Sequence, residues 1–178
     1  EVSHIRGMAE VLGATAHVYE LQDRTRESVE ALEQSLALRE DVGDIEGTAA
    51  TLLRLGLTQY MLGVGSPGLN YLERCLSLYR QLNNPQGIGR ALNALGLLHH
   101  VRGAYGDALS TREEARLHQE RLGDDFGRAM SLASLSILFL EVGDYGQAES
   151  RIREALALVG EDANPVRKAR FYHILGMV

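Results

Sequence analysis

The 178-residue sequence contains one cysteine, Cys75, three prolines and no tryptophan. A single cysteine cannot build a disulfide framework or a cysteine-based metal site. No apolar run is long enough to cross a bilayer, and no secretory signal is visible. We therefore expect a cytoplasmic chain without a transmembrane helix and without membrane contacts.

Basic residues are outnumbered by acidic ones. The chain has 18 lysines and arginines against 24 aspartates and glutamates, which gives a formal net charge of −6. Residues of both signs are spread along the sequence, so it lacks the basic stripe of a nucleic-acid surface. We expect no direct contact with nucleic acid.

Glycine, in contrast, recurs at a regular interval. Gly7, Gly47, Gly87 and Gly127 are each separated by forty residues. Self-similarity at this length predicts a solenoid of repeated helical hairpins. The predicted fold class is therefore all-α, a single α-solenoid of tandem antiparallel hairpins. We place the repeats at residues 5–44, 45–84, 85–124 and 125–164, followed by the first helix of a further repeat at 165–178.

The two helices of each repeat are predicted to touch through small residues. In the third repeat, apolar spacing predicts a first helix from Pro85 to about Arg102 and a second from Tyr105 to Leu122. Gly96 of the first helix aligns with Gly56 of the preceding repeat. A glycine inside a helix costs about 1 kcal/mol relative to alanine, so its recurrence indicates a close helix contact that offsets this cost.

The linkers carry a second repeated signal. Aspartate or asparagine stands at the same place before each of the later first helices, at Asp44, Asn84, Asp124 and Asn164. These residue types accept hydrogen bonds from the first turn of a helix. We expect them to be N-caps.

Two potential chemical sites are explained by the repeat. Cys75 aligns with Ser35 at a small inward position, which predicts a buried structural thiol rather than a nucleophile. The segment from Gly63 to Gly68 matches G-x-G-x-x-G, but a helical pattern precedes it where a nucleotide-binding fold needs a strand. We instead expect Ser66 to cap the second helix and Pro67 to begin it.

The repeats resemble a known family. The turns Arg102 to Ala108 (RGAYGDA) and Val142 to Ala148 (VGDYGQA), with the small-residue pair Gly96 and Ala108, resemble tetratricopeptide repeats over essentially the whole chain. The Gly-Asp-x-x-Gly junctions at 43–47 and 123–127 are similar to the long repeats of bacterial regulators of the LuxR/maltose-regulator and AfsR-like types. The resemblance implies a right-handed superhelix and a role in signal transduction or transcription regulation.

The resemblance also implies a binding groove. In tetratricopeptide arrays the concave surface is built mainly from the first helix of each repeat. The matching candidate residues in this sequence are Leu53, Leu57, Tyr60, Arg90, Asn93, Leu97, His100, Ile137, Leu140 and Arg170.

The third repeat departs from the apolar pattern of its second helix. Arg112, Arg116 and His118 stand where the aligned positions of the other repeats hold leucine or isoleucine. Two interpretations stay open. The long side chains can cover apolar surface while their charged ends reach solvent or a nearby glutamate. Alternatively, the three residues form a basic notch that binds an acidic group.

No catalytic, cofactor or metal site is predicted. His17, His100 and His173 belong to different repeats, whereas a shared metal ion needs ligands about 2 Å away from it. No grouping of serine or cysteine with histidine indicates a nucleophile. We expect no enzyme activity and no cofactor.

Two classes of function remain open. The first is a protein-interaction scaffold that docks a protein, a peptide or a small effector within a larger bacterial regulator. The second is a structural spacer or oligomerisation array whose groove is filled by another part of the same protein. We also expect Phe171, Ile174 and Leu175 to expose an apolar patch on the last helix, which would favour self-association.

Overall fold

The computed structural model describes residues 2–63, 65–160 and 165–178. Within these ranges every regular element is an α-helix, and none combines the length and apolar character needed to cross a membrane. The helices are α1 (Val2–Leu21), α2 (Thr25–Asp41), α3 (Ile45–Met61), α4 (Gly65–Gln81), α5 (Pro85–Val101), α6 (Tyr105–Leu122), α7 (Asp125–Glu141), α8 (Tyr145–Val159) and α9 (Pro165–Leu175).

The predicted all-α hairpin fold is confirmed. Helix α1 packs against α2, α3 against α4, and α7 against α8, each as an antiparallel pair of neighbours in the chain. The chain divides into two compact units, with the boundary between Leu98 and His99 inside α5.

The predicted caps form at the described linkers. The side chain of Asp44 accepts a hydrogen bond from the backbone N–H of Gly47 at 3.1 Å, and Asn84 and Asp124 accept equivalent bonds at 2.8 and 2.9 Å. Asp144 caps the second helix of its hairpin in the same way, which the sequence analysis missed. The predicted cap at Asn164 lies outside the described residues.

Helices α3 and α4 touch through two glycines. A Cβ atom built on Gly56 would lie 3.1 Å from the backbone oxygen of Gly68, and a Cβ on Gly68 would lie 3.1 Å from that of Gly56. Both distances are tighter than normal side-chain contacts. The predicted close approach of the two helices through small residues is therefore confirmed in this hairpin.

Serine bridges the two helices of other hairpins, at the register of Gly56 and Gly68 for Ser136 and Ala148 and at another register for Ser35 and Ala9. Ser35 on α2 donates a hydrogen bond to the backbone oxygen of Ala9 on α1 at 2.8 Å, and Ser136 on α7 donates to that of Ala148 on α8 at 2.8 Å. All four residues are fully buried. Their hydroxyls are thus satisfied inside the helix contact, where an unpaired polar group would be costly.

The predicted start of α4 was wrong. Helix α4 begins at Gly65, so Ser66 lies within the helix and is not the residue before it, and Pro67 is not its first residue.

The predicted apolar patch on α9 was also wrong. Phe171 and Ile174 do not form an exposed patch, because they are 0% and 2% exposed in a core cluster with residues of α7 and α8. Leu175 packs against the same cluster.

Candidate interaction surface

The candidate groove residues on α3 differ in accessibility. Leu57 is 37% exposed and Tyr60 is partly buried. Leu53, one turn earlier on the same helix, is only 2% exposed and is therefore a core residue, which corrects its place among the surface candidates. A core leucine offers no surface to a partner, so the available apolar row on α3 begins at Leu57.

The candidates on α5 of the first unit add a charge to this row. Leu97 and Asn93 are partly buried, and Arg90 is exposed. Arg90 lies close enough to Cys75 for its positive charge to act on the thiol. The first unit thus presents accessible apolar side chains together with an accessible guanidinium group.

The candidates of the second unit are more strongly engaged within the chain. The Nε2 atom of His100 lies 2.8 Å from a carboxylate oxygen of Glu141, and its ring lies 6.2 Å from that of Tyr105. Ile137 packs against the core cluster that contains Phe171. Leu140 is also partly buried, and Arg170 is exposed. Of these four candidates, only Arg170 is exposed.

Arg116 of the proposed basic notch is already paired. Its guanidinium lies 2.7 Å from a carboxylate oxygen of Glu113 and 3.0 Å from one of Glu120. The hydrogen bond with Glu113 is the main cause that raises the pKa of Arg116. This arrangement matches the interpretation in which the arginine stem covers apolar surface and its charged end meets neighbouring glutamates.

Arg112 has a different environment. Burial, and then the positive charge of Arg170, lower the pKa of Arg112 to about 10. The charge of a candidate groove residue therefore acts on a candidate notch residue within the second unit. His118, the third notch residue, is partly buried on the same helix.

Cys75 is a structural residue, as predicted. Its side chain is fully buried in α4, and burial raises the pKa of the thiol to about 12 even though the charge of Arg90 acts in the opposite direction. A thiol of this kind is almost entirely protonated at neutral pH and is a poor nucleophile. Across the described part of the chain, no group of His, Cys, Asp and Glu is arranged to hold a metal ion.

A polar cluster between α1, α2 and α3 was not predicted. The carboxylate of Glu20 accepts hydrogen bonds from Arg54 at 3.0 Å, Ser28 at 3.1 Å and Thr58 at 3.3 Å. Arg54 also donates to the backbone oxygen of Gly13 at 2.7 Å. The ion pair thus joins α1 to α3, and the hydrogen bond from Ser28 adds α2. The available signal was Arg54 itself, since other repeats hold small residues such as Ala94 at its position.

The Glu20 cluster predicts a pH-dependent stability. Burial alone would raise the pKa of Glu20, but the charge and hydrogen bond of Arg54, helped by His17 and Ser28, outweigh it, and the net shift is downward. A lowered carboxyl pKa stabilises the fold above the ordinary glutamate pKa and loses that effect as the pH falls. We expect Glu20→Gln to lower the free energy of unfolding by about 1–2 kcal/mol at pH 7, measured by urea denaturation.

We expect the difference in the free energy of unfolding between the wild type and Glu20→Gln to disappear in acid. Because the stabilisation is lost as the pH falls from the ordinary glutamate pKa through the lowered pKa of Glu20, the two proteins should converge in acid. Glu30→Gln, at an exposed position of α2, serves as the control and should match the wild type throughout. A Glu20→Gln deficit that stays constant with pH would show that the ion pair is not its cause.

Two family models identify the repeat. A model described as tetratricopeptide repeat matches residues 87–160, and a second model with the same description matches residues 11–46. Together they cover more than half of the chain. A comparison with curated proteins finds no match.

Solved structures share the fold. A signal transduction ATPase with numerous domains (STAND) from Pyrococcus horikoshii, which has a tetratricopeptide repeat sensor, gives a TM-score of 0.81 at 16% identity over 94% of this chain and 26% of its own. A Rap protein complexed with Competence and Sporulation Factor gives a TM-score of 0.75 at 15% sequence identity. The match covers 96% of this chain and 48% of the Rap chain. Putative kinesin light chain repeats from Podosopora anserina give a TM-score of 0.78 at 18% sequence identity. The match covers 98% of this chain and 85% of the kinesin light chain structure.

This chain spans about a quarter of the STAND protein and about half of the Rap protein. Identities of 15–18% show a common fold and no more. The two family matches, over repeats whose hairpins are described above, show that the chain belongs to the tetratricopeptide repeat family.

Proposed function

We propose that the chain is a non-catalytic binding array that docks a protein or peptide segment on the first helices of its repeats. The observation that carries this proposal is the exposure of Leu57, at 37%, beside Tyr60 on α3, whereas Leu53 one turn away is fully buried. An accessible leucine on an otherwise well-packed helix gains free energy when a partner covers it.

Other candidate residues of the first unit indicate the chemistry of the partner. Tyr60 and Leu97 offer partly buried apolar surface in the same unit, and Arg90 offers an exposed positive charge. A complementary segment would place an apolar anchor against the leucines and a carboxylate near the arginine. Peptides that bind helical grooves combine such apolar anchors with flanking charges.

The structural relatives support the same class of function. The STAND relative contains a tetratricopeptide repeat sensor, and the Rap relative was crystallised with Competence and Sporulation Factor. We infer that this chain acts as the sensor or docking segment of a larger regulatory protein. In that role the array recognises a partner, and the chemistry of signalling is carried out elsewhere.

The proposal predicts that Leu57→Asp abolishes partner binding without unfolding the chain. Since Leu57 is only partly solvated, the substitution should lower the free energy of unfolding by about 1–2 kcal/mol and leave the chain folded. Quantitative affinity capture with the wild type, Leu57→Asp and Arg90→Glu should show the same partner lost from both variants. Ser77→Asp, an exposed position on α4, is the matched charge control.

Two results would contradict this proposal. Capture of the same partners by the wild type and Leu57→Asp would exclude the α3 surface as the binding site. A melting temperature that collapses in Leu57→Asp would show that Leu57 belongs to the core.

A further inference from the structure

One edge of the second unit carries exposed aromatic and apolar side chains. It consists of the turns that join α5 to α6 and α7 to α8, residues 101–107 and 141–145, and we call it the turn edge. Tyr105 and Tyr145, the first residues of α6 and α8, are 39% and 61% exposed. Val101 and Val142 beside them are 58% and 49% exposed. These four side chains are distinct from the groove candidates.

The two turns of this edge are neighbours in space. The Nε2 atom of His100, near the end of α5, lies 2.8 Å from a carboxylate oxygen of Glu141 at the end of α7. The ring of His100 also lies 6.2 Å from that of Tyr105. Since the ends of α5 and α7 meet there, Tyr105 and its repeat equivalent Tyr145 should lie about one helix spacing apart, roughly 8–10 Å.

The tyrosine pair belongs to the third and fourth repeats. The aligned positions of the first and second repeats are Thr25 and Gly65. The hairpins α1–α2 and α3–α4 form with these small residues at the start of their second helices. An aromatic ring is therefore not needed there to build a hairpin, and the exposed surface of Tyr145 gains free energy when a partner covers it.

The turn edge is also acidic. Its two segments expose the three carboxylates of Asp107, Glu141 and Asp144 against a single arginine, Arg102. Cationic side chains of a partner can pair with such carboxylates and can stack on the face of a tyrosine ring. The surface therefore favours a partner that combines positive charges with apolar groups.

The spacing of the tyrosines fits a particular backbone conformation of that partner. A polyproline II helix has three residues per turn and rises about 3.1 Å per residue, so equivalent side chains lie about 9 Å apart. This repeat matches the spacing inferred for Tyr105 and Tyr145. Proline-rich segments bind aromatic-lined surfaces in this conformation, and they lose little entropy because they are already ordered before binding.

We propose that the turn edge binds a proline-rich, arginine-containing segment in the polyproline II conformation. Prolines three residues apart pack against Tyr105 and Tyr145, and arginines between them pair with Glu141 and Asp144. A second copy of this chain is a poor source of such a segment, since its three prolines are far apart in the sequence. The site is separate from the groove proposed on α3 and α5.

Fluorescence anisotropy of labelled synthetic peptides, titrated with the full chain, tests this proposal. The probe is a capped peptide of four Pro-Pro-Arg triplets. Four Pro-Pro-Glu triplets keep the conformation and reverse the charge, whereas four Gly-Gly-Arg triplets keep the charge and lose the conformation. We expect saturable binding of the probe and no binding of the Pro-Pro-Glu peptide. The Gly-Gly-Arg peptide should bind at least about tenfold more weakly than the probe, because it has to be ordered on binding.

Variants of the chain locate the binding site. Tyr145→Ala should weaken binding of the probe at least about fivefold, since truncation of an anchoring tyrosine in an interface commonly has an effect of this size. Tyr172→Ala removes a similarly exposed ring, 57% accessible on α9, and should bind the probe like the wild type. Both rings are largely solvated, so the circular dichroism spectra of the two variants should match that of the wild type.

Three outcomes would overturn the proposal. The first is the absence of saturable binding of the Pro-Pro-Arg probe. The second is equal binding of the Gly-Gly-Arg peptide, because charge attraction would then be the only cause. The third is binding that Leu57→Asp removes and Tyr145→Ala leaves unchanged, because the probe would then lie in the groove on α3. Binding that survives Leu57→Asp and is weakened by Tyr145→Ala supports the turn edge whether or not the groove binds a partner.

Discussion

Gly56→Val is expected to lower the free energy of unfolding by about 3 kcal/mol, at the upper end of typical overpacking effects. A Cβ at Gly56 would lie 2.4 Å from Cγ of Leu72 and 3.1 Å from the backbone oxygen of Gly68. Moving Leu72 does not remove the second contact, because it involves the backbone of α4. The valine therefore has to push the two helices apart. Urea denaturation followed by circular dichroism measures the change.

Gly106→Ala is the control for this prediction. Gly106 is also helical, but a Cβ there meets nothing within 4 Å. We expect the alanine to leave stability unchanged or to raise it by as much as about 1 kcal/mol, through its better helix propensity. Equal destabilisation by both substitutions would mean that glycine at position 56 is not required by the helix contact.

The fold was predictable because its sequence signals are local and recur in each repeat. The forty-residue spacing identifies the repeat, and Gly56 marks a helix contact without any knowledge of the neighbours. The N-caps at Asp44 and Asn84 are equally local, because each side chain bonds to a backbone N–H three residues later. Local signals repeated at a fixed interval support one another, and the helix pattern follows from them.

The binding surface is less predictable because it depends on distant contacts. Leu53 and Leu57 are one turn apart and of the same residue type, yet one is 2% and the other 37% exposed. The pairing of Arg54 with Glu20 joins residues 34 positions apart in the chain. Helical periodicity gives the face on which a residue lies, but the distance of the next helix from that face decides whether the residue is covered.

Helix α9 shows the same limit in another form. The periodicity correctly grouped Phe171, Ile174 and Leu175 on one helix face. The predicted exposure of this face was wrong, because the face packs onto the preceding hairpin α7–α8. The side of α9 that carries Tyr172, which is 57% exposed, is the accessible one. A single helix has two candidate contact faces, and the pattern alone does not say which is covered.

Phe171→Ala is expected to remove most of the stability of α9. Phe171 is fully buried in the cluster that contains Leu132 and Ile152, and truncation of a buried phenylalanine typically costs about 3–5 kcal/mol. Helix α9 has 11 residues, and isolated helices of this length are at best marginally stable in water, so its order depends on this packing. Hydrogen exchange of the α9 amides should accelerate strongly, while the amides of α7 and α8 stay protected.

Tyr172→Ala is the matched control, since it removes an exposed aromatic ring from the neighbouring position. We expect its hydrogen exchange and unfolding curve to follow the wild type within about 0.5 kcal/mol. If Tyr172→Ala released α9 and Phe171→Ala did not, the helix would have to pack through the opposite face. Selective release of α9 by Phe171→Ala would instead show that this helix is held by the hairpin before it, because the loss of one inward side chain is enough to free it.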